Sequence, residues 1–273
     1  MSRTLHRPGR VLAATLCLVG FAVAGCSSQQ SMQTTTRAEE RAAGSHSGRG
    51  TPPLGTAPGH LGPGTGGKRI MVVGDSWAAN LAQGMSAVAS QHTSVVNAGL
   101  GGCGIRLPKG NETPARCREW PKKWPSYLRT FRPDATVLMV GYWDVEPQRV
   151  NAHENPKDLT SPAARAAFAK RLDQAVDLLT GSGKPVYLMT SPLVADSPYR
   201  ESARVMNQVL RQVDQNRVHV KILDVAGQLC NESSCPKVID GISVYDPTRH
   251  LTSKARDRIA TWALNTVFPG AES

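Results

Sequence analysis

The chain has 273 residues, 40% of them hydrophobic, enough for one sizeable core or at most two small ones. Its formal net charge is +11, yet the cations are scattered, with no stripe interleaved with aromatic residues, which argues against nucleic acid as a partner. The charge reads chiefly as a solvated surface, and anionic lipid or an acidic envelope polymer is the partner class that such a surface would favour.

The opening segment, 1–25, reads as a targeting signal and not as fold. Arg3, Arg7 and Arg10 make a basic start, and 11–23 is an uncharged apolar run that is short for a membrane span and ends in small residues. Removing these three arginines leaves +8 on the rest of the chain. The tetrapeptide Val23-Ala24-Gly25-Cys26 resembles a bacterial lipobox. Such a site is cut before the cysteine, whose sulfur is acylated, for example with palmitate. The expectation is a lipoprotein signal peptide at 1–25 and a lipid-anchored protein on the extracytoplasmic face of the bacterial cell membrane. An ordinary secretory signal with a chance cysteine is the alternative. Two or more acyl chains anchor stably, since each buried CH₂ contributes about 0.8 kcal/mol. Residues 26–68 are dominated by Gly, Pro, Ser and Thr. They cannot bury enough apolar surface to offset ordering entropy, and a disordered tether is expected there. No later segment is long and apolar enough to span a bilayer.

Of six cysteines, Cys17 leaves with the signal and Cys26 carries lipid. The remaining four, Cys103, Cys117, Cys230 and Cys235, are an even number in an exported chain, which implies disulfides with three possible pairings. The local pairs Cys103–Cys117 and Cys230–Cys235 are expected. Neither spacing resembles a zinc site, and no metal or organic cofactor is implied.

From Arg69 the pattern becomes strands alternating with helices. Ile70-Met71-Val72-Val73 predicts a buried strand, followed by a turn at Gly74-Asp75-Ser76 and a helix over 77–89. A second strand is predicted at 94–97, then a Gly- and Pro-rich loop, a helix over 120–131, and a strand at 135–140. Ser161 as N-cap and Pro162 at the first position start a helix. Its apolar face is Ala164, Phe168, Leu172, Ala175 and Leu179, and Gly181 ends it. A strand at 185–189, a helix over 202–213, a strand within 218–225 and a final helix capped by Thr252 complete the order. Such alternation over 69–270 predicts one α/β domain with a parallel sheet covered on both faces. Ligands in such sheets bind beyond the carboxyl ends of the strands.

The segment Val72-Val73-Gly74-Asp75-Ser76 sets a serine hydroxyl at that edge, by the partly positive start of a helix. Alone it reads equally as a tight turn with Ser76 as N-cap. Three further segments change the reading: Asn97-Ala98-Gly99-Leu100-Gly101-Gly102-Cys103, Gly141-Tyr142-Trp143-Asp144, and Tyr245-Asp246-Pro247-Thr248-Arg249-His250-Leu251-Thr252. With these, residues 69–268 resemble the SGNH (GDSL-like) hydrolase superfamily, and most closely the SGNH domains attached to acyltransferase-3 membrane acyltransferases. The resemblance implies a three-layer, flavodoxin-like sandwich around a five-stranded parallel sheet. It implies Ser76 as nucleophile, His250 as base, and an oxyanion hole from the backbone N–H groups of Ser76 and Gly102. The family's next oxyanion donor is an asparagine, and here that position holds Trp143. Its indole N–H could substitute, or the ring could lid the pocket. The family aspartate stands three residues before the histidine, where this chain has Pro247. Asp246, one residue further back, is expected to orient His250, with a Ser76–His250 dyad, or Asp240 or a backbone carbonyl orienting the ring, as alternatives.

The implied function is a serine esterase that removes short acyl groups, such as acetyl, from O-acyl esters of envelope glycans or lipids. An O-acyltransferase module working with a separate membrane acyltransferase is the second reading. A non-catalytic binding lipoprotein that keeps the fold is the third.

Overall fold

A computed structural model of the chain describes residues 67–106, 114–151, 153–192, 197–231 and 235–270. The expected signal, Cys26 and the tether lie outside the described residues, apart from the tether's last two positions. All described residues fall within one compact unit, Arg49–Ser273.

In chain order the elements are β1 (Lys68–Gly74), α1 (Ser76–Val88), β2 (Thr93–Gly99), a single 3₁₀ turn (Ala115–Arg118), α2 (Trp120–Phe131), β3 (Ala135–Met139), α3 (Tyr142–Val145), α4 (Pro162–Thr180), β4 (Val186–Met189), α5 (Arg200–Gln215), β5 (Val220–Leu223), α6 (Val225–Leu229), the small hairpin β6 (Val238–Ile239) and β7 (Ile242–Ser243), and α7 (Ser253–Val267). The five long-range strands pair in parallel in the order β2-β1-β3-β4-β5. That is the flavodoxin-like order, which reverses direction at β1 and β3, so a crevice opens above those two strands.

Strand side chains alternate between faces, and both faces are dry, which is why the strands read as continuous apolar runs. Met71, Val73, Leu138, Val140, Val186 and Leu188 pack in one layer with Trp124 of α2, Phe168 and Leu172 of α4, and Met206 and Leu210 of α5. Ile70, Val72, Val137, Met139, Tyr187 and Met189 face the other way, against Leu81 and Met85 of α1 and Ile259, Ala263 and Leu264 of α7.

The expected elements are found, with ends shifted by at most two residues. Ser161 occupies the N-cap of α4, but its side chain makes no capping hydrogen bond. Pro162, fixed near helical φ, starts that helix instead. Thr252 does cap α7, its hydroxyl accepting from Ala255 N at 3.4 Å. α3, α6 and the β6–β7 hairpin are additional elements, too short to carry a periodic signal in the sequence. Both expected disulfides, Cys103–Cys117 and Cys230–Cys235, are formed.

Candidate active site

The crevice above β1 and β3 is built from the ends of four segments. At the first, β1 must turn into α1 within two residues. Gly74 adopts φ +136°, and a Cβ there would sit 1.8 Å from the Met139 carbonyl of β3, so only glycine fits. Asp75 is the N-cap of α1, its Oδ1 accepting from Trp77 N at 2.9 Å. The alternative of Ser76 as cap is thereby corrected: Ser76 is the first helical residue, half-buried, with its side chain free of capping duty.

The second segment is the glycine loop after β2. Leu100 N donates to the Gly74 carbonyl at 2.8 Å, which ties the loop to the end of β1. A Cβ on Gly101 would lie 3.9 Å from Ser76 Cβ, so this loop runs beside the serine. Gly102 has φ +78°, in the region that favours glycine.

The third segment is α3, at the end of β3. Asp144 is fully buried, and its Oδ1 accepts from Arg106 N at 2.9 Å. The Arg106 guanidinium donates in turn to the carbonyls of Asp144 and Glu146 at 2.9 and 3.1 Å. This pair staples the far end of the glycine loop to α3. Trp143 is 38% exposed, edge-on to Tyr142, with 5.7 Å between ring centres. It borders a cavity of about 250 Å³ together with Gly102, Gly104, Arg106 and Gln148. Gly102 and Trp143, two of the three expected oxyanion residues, thus line one space, while Ser76 is not among the residues that line it.

The fourth segment precedes α7 and carries His250. Its ring lies 6.3 Å from that of Trp77, the residue after Ser76. One turn on, Asn80 Nδ2 donates to the Leu251 carbonyl at 3.3 Å. The start of α1 and the histidine loop are therefore neighbours. The loop is a tight Asx turn. Asp246 Oδ1 accepts from Thr248 N at 2.8 Å, Thr248 Oγ1 at 2.6 Å and His250 N at 3.1 Å. Arg249 closes it in the left-handed region, with φ +66°.

The expectation that Asp246 bonds the imidazole needs correction. The partner of His250 Nδ1 is Thr248 Oγ1, at 2.8 Å, and Asp246 reaches the ring through that hydroxyl. Asp240, the alternative, points elsewhere and pairs with Arg258 at 2.6 Å. Proline at position 247 explains the difference: an extra residue between acid and histidine lengthens the turn, and the threonine side chain spans the gap. The spacing Asp-x-Thr is an Asx-turn signature that marks a turn at 246–248, but not which side chain of the turn meets the ring.

Two electrostatic features accompany the site. Burial pushes Asp246 up, but bonds from Thr248 and from the His250 and Thr248 backbone N–H groups outweigh it and hold the carboxyl below its ordinary value. Asp75 is the opposite case. Its burial, with the nearby Asp144 carboxylate adding to it, raises it to about 7. Burial raises Asp144 to about 6, against the pull of Arg106.

A sequence model of the family described as SGNH domain (fused to AT3 domains) matches residues 41–204. The match covers the serine, glycine-loop and α3 segments and stops short of His250. No curated protein matches the chain. Among solved structures, a carbohydrate acetylesterase family member from Sinorhizobium meliloti is 14% identical, with a TM-score of 0.50, covering 75% of this chain and 99% of that one. The inhibitor-bound aryl esterase of M. smegmatis is 12% identical, with a TM-score of 0.50, covering 74% of this chain and 100% of that one. Likeness at this identity speaks for a shared fold.

Proposed function

The chain belongs to the SGNH domain family of the kind fused to AT3 domains, and on that premise we propose that it is a serine esterase removing short acyl groups, such as acetyl, from O-acylated envelope glycans or lipids. The observation that carries the reading is the histidine loop. His250 sits beside the first turn of α1 with Nδ1 engaged by Thr248, which leaves Nε2 to act as base.

The chemistry follows from these groups. His250 Nε2 takes the Ser76 hydroxyl proton as Oγ attacks the ester carbonyl, and the carbonyl π electrons move onto oxygen. Backbone N–H groups of Ser76 and Gly102 hold that oxyanion, which is where electrostatic preorganisation contributes most. Its collapse breaks the acyl C–O bond, and the leaving alcohol takes the proton from His250. Water, deprotonated by the same nitrogen, then attacks the acyl-serine. The carboxylic acid departs and Ser76 regains its proton.

Purified protein is expected to release acetate from short-chain esters, and Ser76→Ala to lower kcat by at least about 10³-fold. Equal turnover by the two proteins would leave a non-catalytic binding protein. A second reading is favoured by the family itself, whose members are described as fused to AT3 domains. A membrane acyltransferase would load Ser76, and a sugar hydroxyl would replace water as acceptor. Acylated sugar in place of free acid, when a glycan acceptor is added, distinguishes the two.

We further propose attachment to the extracytoplasmic face of the membrane through Cys26, from the sequence Val23-Ala24-Gly25-Cys26. Incorporation of labelled palmitate, lost in Cys26→Ser, is the test.

A further inference from the structure

We propose that Thr248 is a positioning residue: its hydroxyl, held by Asp246, fixes His250 with the ring proton on Nδ1 and leaves Nε2 as the basic nitrogen. The catalytic meaning of this rests on the esterase reading; the hydrogen-bond order does not.

The order follows from donor and acceptor inventory. Asp246, held below its ordinary value, is a carboxylate and can only accept. The Thr248 hydroxyl has one proton, and at 2.6 Å from Asp246 Oδ1 that proton points to the carboxylate. What Thr248 Oγ1 offers His250 Nδ1, 2.8 Å away, is therefore a lone pair. The neutral ring can fill that contact only by carrying its hydrogen on Nδ1. The threonine is itself held at two points, because its backbone N–H bonds the same Oδ1. His250 N is a third donor to that oxygen, so acid, relay and ring share one rigid turn.

The direct carboxylate–imidazole contact is thus replaced by a carboxylate–hydroxyl–imidazole chain. Its charge acts on the ring at one remove. Thr248 is also exposed, so water can partly stand in for a lost hydroxyl. The penalty for removing it should fall short of the roughly 10⁴ in rate associated with a mis-set tautomer.

The experiment compares full-length wild type, Thr248→Val and Thr248→Ser by hydrolysis of p-nitrophenyl acetate and by nitrogen NMR of the His250 ring, assigned against His250→Gln. Wild type should show neutral His250 protonated at Nδ1. Thr248→Val should lose that signature and lower kcat by about 10²-fold, with little change in KM, as expected when base placement and not binding is lost. Thr248→Ser, which keeps the hydroxyl, should restore both. Melting curves check that all three fold. A folded Thr248→Val that keeps the Nδ1 signature or wild-type kcat overturns the proposal, as does a folded Thr248→Ser that behaves like the valine variant. Should wild type and Ser76→Ala prove equally inactive, the esterase reading falls, while the ring spectra still decide the role of Thr248.

Discussion

A hydroxyl becomes a nucleophile only where the backbone can aim it and a base can reach it, and at Ser76 the aiming is done by its two predecessors. Gly74 lets β1 pass against the Met139 carbonyl, and Asp75 takes over the capping that would otherwise occupy the serine. Alanine at 74 would combine a forbidden φ with a collision against backbone, which cannot move without opening the β1–β3 pairing. Gly74→Ala should destabilise the fold by roughly 3 kcal/mol or more. Urea unfolding measures this, and an unchanged midpoint would contradict the close approach. The capping role of Asp75 was not legible in sequence, since serine and aspartate are equally good caps. The choice depends on where the helix axis starts, and that depends on packing.

Among elements, the glycine loop depends most on covalent support. It leaves the sheet after β2, carries Gly101 and Gly102 past the serine, and is then pinned by Cys103–Cys117 and by the Arg106–Asp144 staple. With a sequence separation of 14, this disulfide restricts the unfolded chain by about 3 kcal/mol on the loop-entropy account. The Cys230–Cys235 bridge, with a separation of 5, contributes nearer 2 kcal/mol. Replacing Cys103 and Cys117 by serine should therefore cost about 3 kcal/mol in denaturant unfolding and lower kcat/KM, because Gly102 adjoins the bridge. The corresponding change at 230 and 235 should cost less stability and leave turnover nearly intact. Equal losses of turnover from the two pairs would separate the glycine loop from the chemistry.

At the scale of the whole molecule, the sheet holds two carboxyls where water does not reach. Asp75 and Asp144 are both fully buried, and both titrate above the ordinary 3.8. A group raised in the folded state binds its proton more tightly there. Its stabilising contribution is complete below about pH 4 and is lost as pH rises through 6 to 7. Asp246, lowered, works oppositely and only at the acid end. Asp75→Asn keeps a capping oxygen but cannot ionise. It should gain on the order of 2 kcal/mol over wild type at pH 8 relative to pH 5. Thermal melts at the two pH values measure it, and a variant-minus-wild-type difference that is the same at both would rule the buried charge out.

The continuous apolar runs at 70–73, 135–140 and 185–189, punctuated by helices with one apolar face, were enough by themselves to determine a doubly covered parallel sheet. Local periodicity reports burial directly, and Gly74-Asp75-Ser76 at the end of the first run marked the candidate site. Tertiary structure alone decided which side chain touches His250. Shifting an acid by one residue before a histidine changes a turn by a few ångströms, and a spacing rule has no access to that distance. The three hydrogen bonds converging on Asp246 Oδ1 close the turn so that Thr248, not the carboxylate, meets the ring.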